Sequence, residues 1–238
     1  MSCSRIASFV YLLTLASLLQ TAFGLFHNCS DTGSFSAGGP YEANLNQLIE
    51  FLSSQTPPSG FGRRAIGQNP NRVFGLALCR GDVSSEDCKT CVVRAGNEIR
   101  KQCPYKKGAI TWYDDCLVKY SNIGFFGQID NQNKFNVWNP NKASEAFSRQ
   151  SEGFLSLLAN EASANPTSFY ASGEILVHRS MKIYGMTQCT RDLSISDCKK
   201  CLDGLIDEFP KCCNQLEGAR VFSGSCNFRY ENFPFVKA

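Results

Sequence analysis

The stretch CRGDVSSEDCKTC, residues 79–91, decides the fold because it returns as CTRDLSISDCKKC at residues 189–201. Cys79, Cys88 and Cys91 recur as Cys189, Cys198 and Cys201, each displaced by 110 residues. Without a gap, the same displacement carries Asp82 to Asp192, Ser84 to Ser194, Cys103 to Cys213, Cys116 to Cys226 and Tyr120 to Tyr230. A fixed period of that length is too long for a solenoid repeat and marks a duplicated domain.

Each copy starts a helix inside this stretch. Ser84 and Ser194 stand three residues before Asp87 and Asp197, close to a capping box. Cys88, Cys91, Val92, Ala95 and Ile99 then share one helical face, as do Cys198, Cys201, Leu202, Leu205 and Phe209. Both thiols of each pair therefore point into a core. Upstream, Tyr41, Leu48, Ile49 and Leu52 fall at i, i+7, i+8 and i+11, and Phe147, Phe154, Leu155 and Leu158 repeat that spacing, so a further helix precedes each motif. The polar stretches Ser53–Arg72 and Ala162–Glu174 read as loop or irregular edge. Short β-prone runs, Val73–Leu78 and Lys182–Gln188, lead into the cysteines. Two strands close each copy: Ala109–Tyr113 with Cys116–Tyr120, and Ala219–Ser223 with Cys226–Tyr230. Helices set against antiparallel strands make the fold class α+β.

Arg5, the apolar run Ile6–Leu19 and the small residues around Ala22-Phe23-Gly24 form a secretory leader, residues 1–24, cleaved before Leu25. The run is too short to read as a membrane span, so the chain is expected to be exported to the extracellular space without membrane insertion. Behind the leader lie a first module at residues 25–125, a linker at 126–133 and a second module at 134–238. Thirteen cysteines become twelve once Cys3 is removed, an even number in an oxidising compartment. Cys88-x2-Cys91 and Cys198-x2-Cys201 also have zinc-ligand spacing, but the third cysteine upstream and the secreted context favour disulfides. Asn28-Cys29-Ser30 is a glycosylation sequon at Asn28.

The formal net charge of +3 is mild and its charges are interspersed, unlike the clustered stripe of a nucleic-acid binder. Catalysis is poorly supplied. The chain has two histidines: His27 stands at the mature amino terminus, and His178 lies in no motif. Asp114 and Asp115 are adjacent, so their side chains diverge rather than flank a substrate. Neither a phosphate loop nor a metal cluster is present, no cofactor is implied, and the chain reads as a non-enzyme.

The doubled C-x8-C-x2-C pattern, Gly218-Ala219-Arg220-Val221 and the ending Cys226-x3-Tyr230-Glu231 resemble the ginkbilobin-2 homologous, or stress-antifungal, domain of plants. With a leader and two copies, the chain is similar to the cysteine-rich repeat secretory proteins. The resemblance implies a five-stranded antiparallel sheet packed on two helices in each module. It also implies the pairs Cys29–Cys103, Cys79–Cys88, Cys91–Cys116, Cys189–Cys198 and Cys201–Cys226. The second module lacks a counterpart of Cys29, which leaves Cys213 beside Cys212. A vicinal Cys212–Cys213 bond is favoured; free thiols or a bridge to another chain are the alternatives.

Mannose-binding members of that family use an asparagine, an arginine and a glutamate. The resemblance carries the last two onto Arg220 and Glu231, and counting back from the first helix of the module places Asn136 near the first. A guanidinium fork donates, and a carboxylate accepts, hydrogen bonds with sugar hydroxyls. The competing reading is a cross-strand Arg220–Glu231 ion pair. The first module has Ser30, Ile110 and Ser121 at the corresponding positions and is not expected to bind sugar this way. Trp112, Tyr113, Phe125, Phe126 and Trp138 are expected to pack in the core and between modules. The expected function is a lectin-like apoplastic defence protein whose second module recognises mannose-type glycans. A module for extracellular protein partners, such as receptor ectodomains or cell-wall proteins, is the alternative.

Overall fold

The computed structural model describes residues 26–178 and 181–237; the leader and its cleavage site lie outside the described residues. The first module runs β1 (Phe26–Cys29), α1 (Pro40–Gln55), β2 (Phe61–Ile66), β3 (Val73–Cys79), α2 (Ser85–Gln102), β4 (Gly108–Trp112) and β5 (Cys116–Ser121). The second runs β6 (Phe135–Trp138), α3 (Glu145–Ala164), β7 (Tyr170–His178), β8 (Met181–Cys189), α4 (Ile195–Ile206), the short α5 (Phe209–Cys212), β9 (Ala219–Phe222) and β10 (Cys226–Glu231). The two antiparallel five-stranded sheets have orders β1-β4-β5-β3-β2 and β6-β9-β10-β8-β7. The fold class is α+β, with the same connectivity in both halves.

The cysteine motif builds each module in the way its spacing dictates. Ser84 and Ser194 cap α2 and α4, their hydroxyls accepting from the backbone N–H of Asp87 and Asp197 at 3.1 Å. One helical turn then presents Cys88 to Cys79 at the end of β3 and Cys91 to Cys116 at the start of β5. Cys189–Cys198 and Cys201–Cys226 repeat this in the second module. Each helix is thus stapled to two neighbouring strands. Cys29–Cys103 ties β1 to the end of α2, and Cys212 is bonded to Cys213.

Three elements depart from the sequence reading. The stretches read as loop hold the edge strands β2 and β7, which pair only with β3 and β8. β2 places Arg63 and Arg64 side by side and exposed, and β7 carries Gly173 and Glu174, so neither shows a clean apolar alternation. Phe209 does not continue α4. That helix ends at Ile206, and Phe209 opens α5 with Pro210, which has no N–H to extend a preceding helix. Phe209 is nonetheless buried against Phe228 and Tyr230.

One face of each sheet packs on its helices. The other face looks toward the second module. Leu76, Leu78, Ile110, Trp112 and Leu117 of the first module form one buried cluster with Phe222 of the second, flanked by Phe135. The layers therefore run helices, sheet, sheet, helices. This double burial explains why Val73–Leu78 reads as continuously apolar rather than alternating. Trp112 anchors the contact: its indole N–H donates to Ser223 O at 3.0 Å. Gln188 Nε2 reaches back to Cys79 O at 3.0 Å.

Candidate functional site

Arg220 sits on β9 with its side chain on the sheet-to-sheet face, alternating with the core residues Ala219 and Val221. It is 7% exposed. Its guanidinium pairs with the carboxylate of Asp114 in the first module and donates to the carbonyls of Tyr113 and Asp114 at 3.2 and 3.1 Å. The ring of Phe222 lies 4.0 Å beneath it. Burial pushes Arg220 down to about 9 while Asp114 pulls it back up, so the group stays cationic at neutral pH.

Glu231, on β10, shares that face. Its carboxylate accepts from Arg229 Nε at 3.0 Å and fills the space that a side chain at Gly218 would occupy. Burial raises its carboxyl above the ordinary value, against the pull of Arg229. Arg229 stands opposite Arg220 in the β9–β10 register, and Glu231 offsets the two like charges. The cross-strand Arg220–Glu231 ion pair of the competing reading is therefore not what forms: Arg220 pairs with Asp114 and Glu231 with Arg229.

Asn136 does not join them. The β6–β9 register places it opposite Val221, on the helix side of the sheet, and puts Val137 opposite Arg220. Strand alternation sends the two side chains to opposite faces. The three predicted sugar ligands do not converge, and the one with the most hydrogen-bonding capacity is enclosed by the first module.

Other candidates are placed as follows. Asp114 and Asp115 diverge, the first to Arg220 and the second to Arg80 and Lys237. Arg80 also pairs with Asp82, and the backbone N–H of Lys237 donates to Asp82 at 2.6 Å, so the carboxy-terminal residues strap onto the first module. His27 is exposed. Trp112 and Tyr113 are buried, Phe125 and Phe126 half-buried, but Trp138 is 56% exposed and departs from its expected packing role. Asn28 is exposed on β1, and its Nδ2 donates to Asn133 Oδ1 at 2.6 Å. Among the described residues, no group of histidine, cysteine, aspartate or glutamate side chains is placed to hold a metal ion.

Sequence reasoning missed Asp114 as a partner of Arg220. It also missed a second buried pair, Lys119 on β5 with Asp130 of the linker at 2.6 Å. One signal was available: these positions break the repeat. Asp114 has Gly224 as its counterpart, and Lys119 has Arg229.

In the first module Ser30, Ile110 and Ser121 line a groove of about 510 Å³ between the sheet and the linker.

A duplicated, disulfide-stapled α+β module docked sheet to sheet defines a class of tandem extracellular domains. The Salt stress response/antifungal family model matches residues 28–123 and 132–233, and the chain belongs to that family. It is 51% identical over 239 residues to the "Antimicrobial ginkbilobin-2-like protein" of Castanea crenata, covering 99% of each chain. It is 47% identical to "Cysteine-rich repeat secretory protein 38" of Arabidopsis thaliana, over 94% of this chain and 90% of the relative. The tandem DUF26 ectodomain of the Arabidopsis thaliana receptor-like protein PDLP8 has the same fold, with a TM-score of 0.75 at 22% identity over 90% of this chain and all of the ectodomain. Homologues are secreted cysteine-rich proteins, and no helix among the described residues is long and apolar enough to cross a membrane.

Proposed function

We propose that the chain is a secreted, apoplastic defence protein that acts by binding a component of a microbial surface rather than by catalysis. The observation that carries this reading is the 51% identity to a protein named as antimicrobial, extending over 99% of both chains. The geometry supports binding over chemistry. The buried charged groups of the site are consumed in ion pairs: Arg220–Asp114 between the modules, Lys119–Asp130 between sheet and linker, and Arg80–Asp82 within the first module. Mannose-type glycans are the ligand class that the residue types of Arg220 and Glu231 support. Recognition through Arg220 requires its guanidinium to leave Asp114, which works against a ready-made lectin site there.

Growth of a filamentous fungus in the presence of the oxidised mature protein tests the reading, with binding to isolated fungal walls as the second readout. Inhibition together with wall binding supports it. Normal growth and no retention on walls overturn it and direct the search to extracellular protein partners. A glycan array on wild type and Arg220→Ala examines the mannose arm: binding lost in the variant would put the sugar at Arg220, whereas equal binding places it elsewhere.

A further inference from the structure

We propose that the arginine row at the free edge of the first sheet, on β2, binds a linear polycarboxylate, the chemistry of an acidic (uronic-acid) polysaccharide. The inference goes beyond the defence reading and does not depend on it. Residues 51–81 hold four arginines, Arg63, Arg64, Arg72 and Arg80, and no acidic residue. Arg80 is buried and paired with Asp82. The other three are exposed, and none has a carboxylate partner among the described residues. By contrast, Arg100, Arg149, Arg220 and Arg229 each have one.

Each of the three unpaired arginines lies over a phenylalanine ring instead. Arg63 stands 5.7 Å from the ring centre of Phe126, Arg72 5.0 Å from Phe74 and Arg64 4.6 Å from Phe51. Phe74 and Phe126 meet edge to face at 5.7 Å, so Arg72, Phe74, Phe126 and Arg63 form a continuous row. Arg191 of the second module, over Phe61 at 5.6 Å, extends it. Strand alternation keeps Phe61 and Arg63 on this face and turns Arg64 to the helix side, so the edge is cationic on both faces. Stacking on a ring holds a guanidinium in place and leaves its N–H edge for an anion, which reduces the ordering cost of binding.

The second module shows what a neutralised version of this edge looks like. The β7–β8 register puts Ser172 where the first module has Arg63, and Gly173 where it has Arg64. Lys182 is the counterpart of Arg72, and it is tied to Glu174 at 2.5 Å. Ala65 occupies the place of that glutamate in the first module, which leaves Arg72 without an acid.

The spacing of the cations selects the ligand. Arg63 lies opposite Leu76, and Arg72 precedes Leu76 by four positions, so the two stand about 13 Å apart along the strand. A phosphate site gathers several donors at one point, as at a helix start or a backbone nest. Here the cations are spread singly along an open edge, each with its own ring. That arrangement suits a chain with one carboxylate per sugar residue, each met by the fork of one guanidinium.

The test is calorimetric titration of the oxidised mature protein with an oligogalacturonate and with the same oligomer methyl-esterified at its carboxyls. We expect the carboxylate form to bind at low ionic strength and to weaken at about 0.15 M salt, and the ester not to bind. Arg63→Gln/Arg72→Gln should weaken binding at least about tenfold, the loss of two charge-assisted contacts. Both side chains are exposed, so the core is untouched. Lys142→Gln/Lys211→Gln removes the same charge from exposed sites elsewhere and should bind as wild type. Arg63→Lys/Arg72→Lys, which keeps the charge and loses the fork, should fall between wild type and the glutamine pair. Equal binding of the ester, or equal weakening by the Lys142/Lys211 pair, overturns the proposal. A lysine variant equal to wild type also overturns it, since the row would then act as diffuse charge. So does tighter binding to phosphatidylserine-containing vesicles or to single-stranded DNA, which would assign the row to another polyanion.

Discussion

Arg220 in the second module closes onto Asp114 in the first, 106 residues away in sequence, and so a residue type suited to sugar recognition serves as an inter-module lock. The partners are unequal. Arg220 is nearly buried, whereas the Asp114 side chain is 63% exposed.

That inequality sets the expected cost of breaking the pair. Asp114→Ala leaves a buried guanidinium with two carbonyl acceptors but without its paired carboxylate. Full burial of both partners would make this a loss of roughly 3–5 kcal/mol, but the exposed carboxylate reduces it to about 2 kcal/mol. For a chain of this size the melting temperature should fall by roughly 4–8 °C in calorimetry. A melting temperature equal to wild type would mean that Arg220 is free to serve a ligand.

Charge placement also predicts a pH signature with two opposite signs. Burial alone would raise Asp130, but Lys119 together with the hydrogen bonds from Asn133 outweighs it and holds the carboxyl below its ordinary 3.8. A depressed folded pKa stabilises above the unfolded value, and that stability is lost as pH falls through the folded one. The melting gap between wild type and Asp130→Asn should therefore be widest above about pH 4 and should close in stronger acid. Glu231 behaves inversely. Burial raises it above 4.5 despite Arg229, so its contribution is present in acid and is lost as pH rises through the folded value. Relative to Glu231→Gln, wild type should look best below about pH 4.5 and lose ground toward neutrality. Parallel slopes for the two variants would contradict both assignments.

How far the sequence could be read depended on whether the signal was local. Ser84, Cys88 and Cys91 act within two turns of one helix, so capping and stapling followed from their spacing. The register of β6 did not. Nothing near Asn136 fixes which residues of a four-residue edge strand face the core, and a one-residue slip inverts the face. The partner of Arg220 was hidden for a different reason. Asp114 belongs to the other module, and the docking of two sheets is set by surfaces that no single stretch encodes. The break in the repeat at Asp114 and Gly224 was the one visible trace of it.

Trp112 carries much of that docking and offers an optical test. It is one of two tryptophans, and the other, Trp138, is exposed. In wild type, acrylamide should quench only part of the emission readily; in Trp112→Phe nearly all remaining emission should be quenchable. Trp112→Ala also vacates the inter-sheet cluster and leaves Ser223 O without its donor, at an expected cost of about 3–5 kcal/mol by chemical denaturation. Full quenching of wild-type emission would mean that the sheets are apart in solution.

The six disulfides among the described residues should be far from equal in their contribution, because loop length differs so widely among them. Cys29–Cys103 spans 74 residues and Cys212–Cys213 only one. In the chain-entropy account, closing the longer loop restricts the unfolded ensemble by about 4–5 kcal/mol, whereas a vicinal bond removes about 1 kcal/mol or less. Cys29→Ala/Cys103→Ala should therefore lower the denaturation midpoint strongly, and it frees β1, which holds one side of the groove. Cys212→Ser/Cys213→Ser should shift the midpoint little. Its cost is confined to the turn where Tyr230 Oη donates to Cys213 O at 2.9 Å. If the vicinal pair proves the costlier to remove, the loss is not chain entropy, and the turn that seats Tyr230 under α5 is what that bond protects.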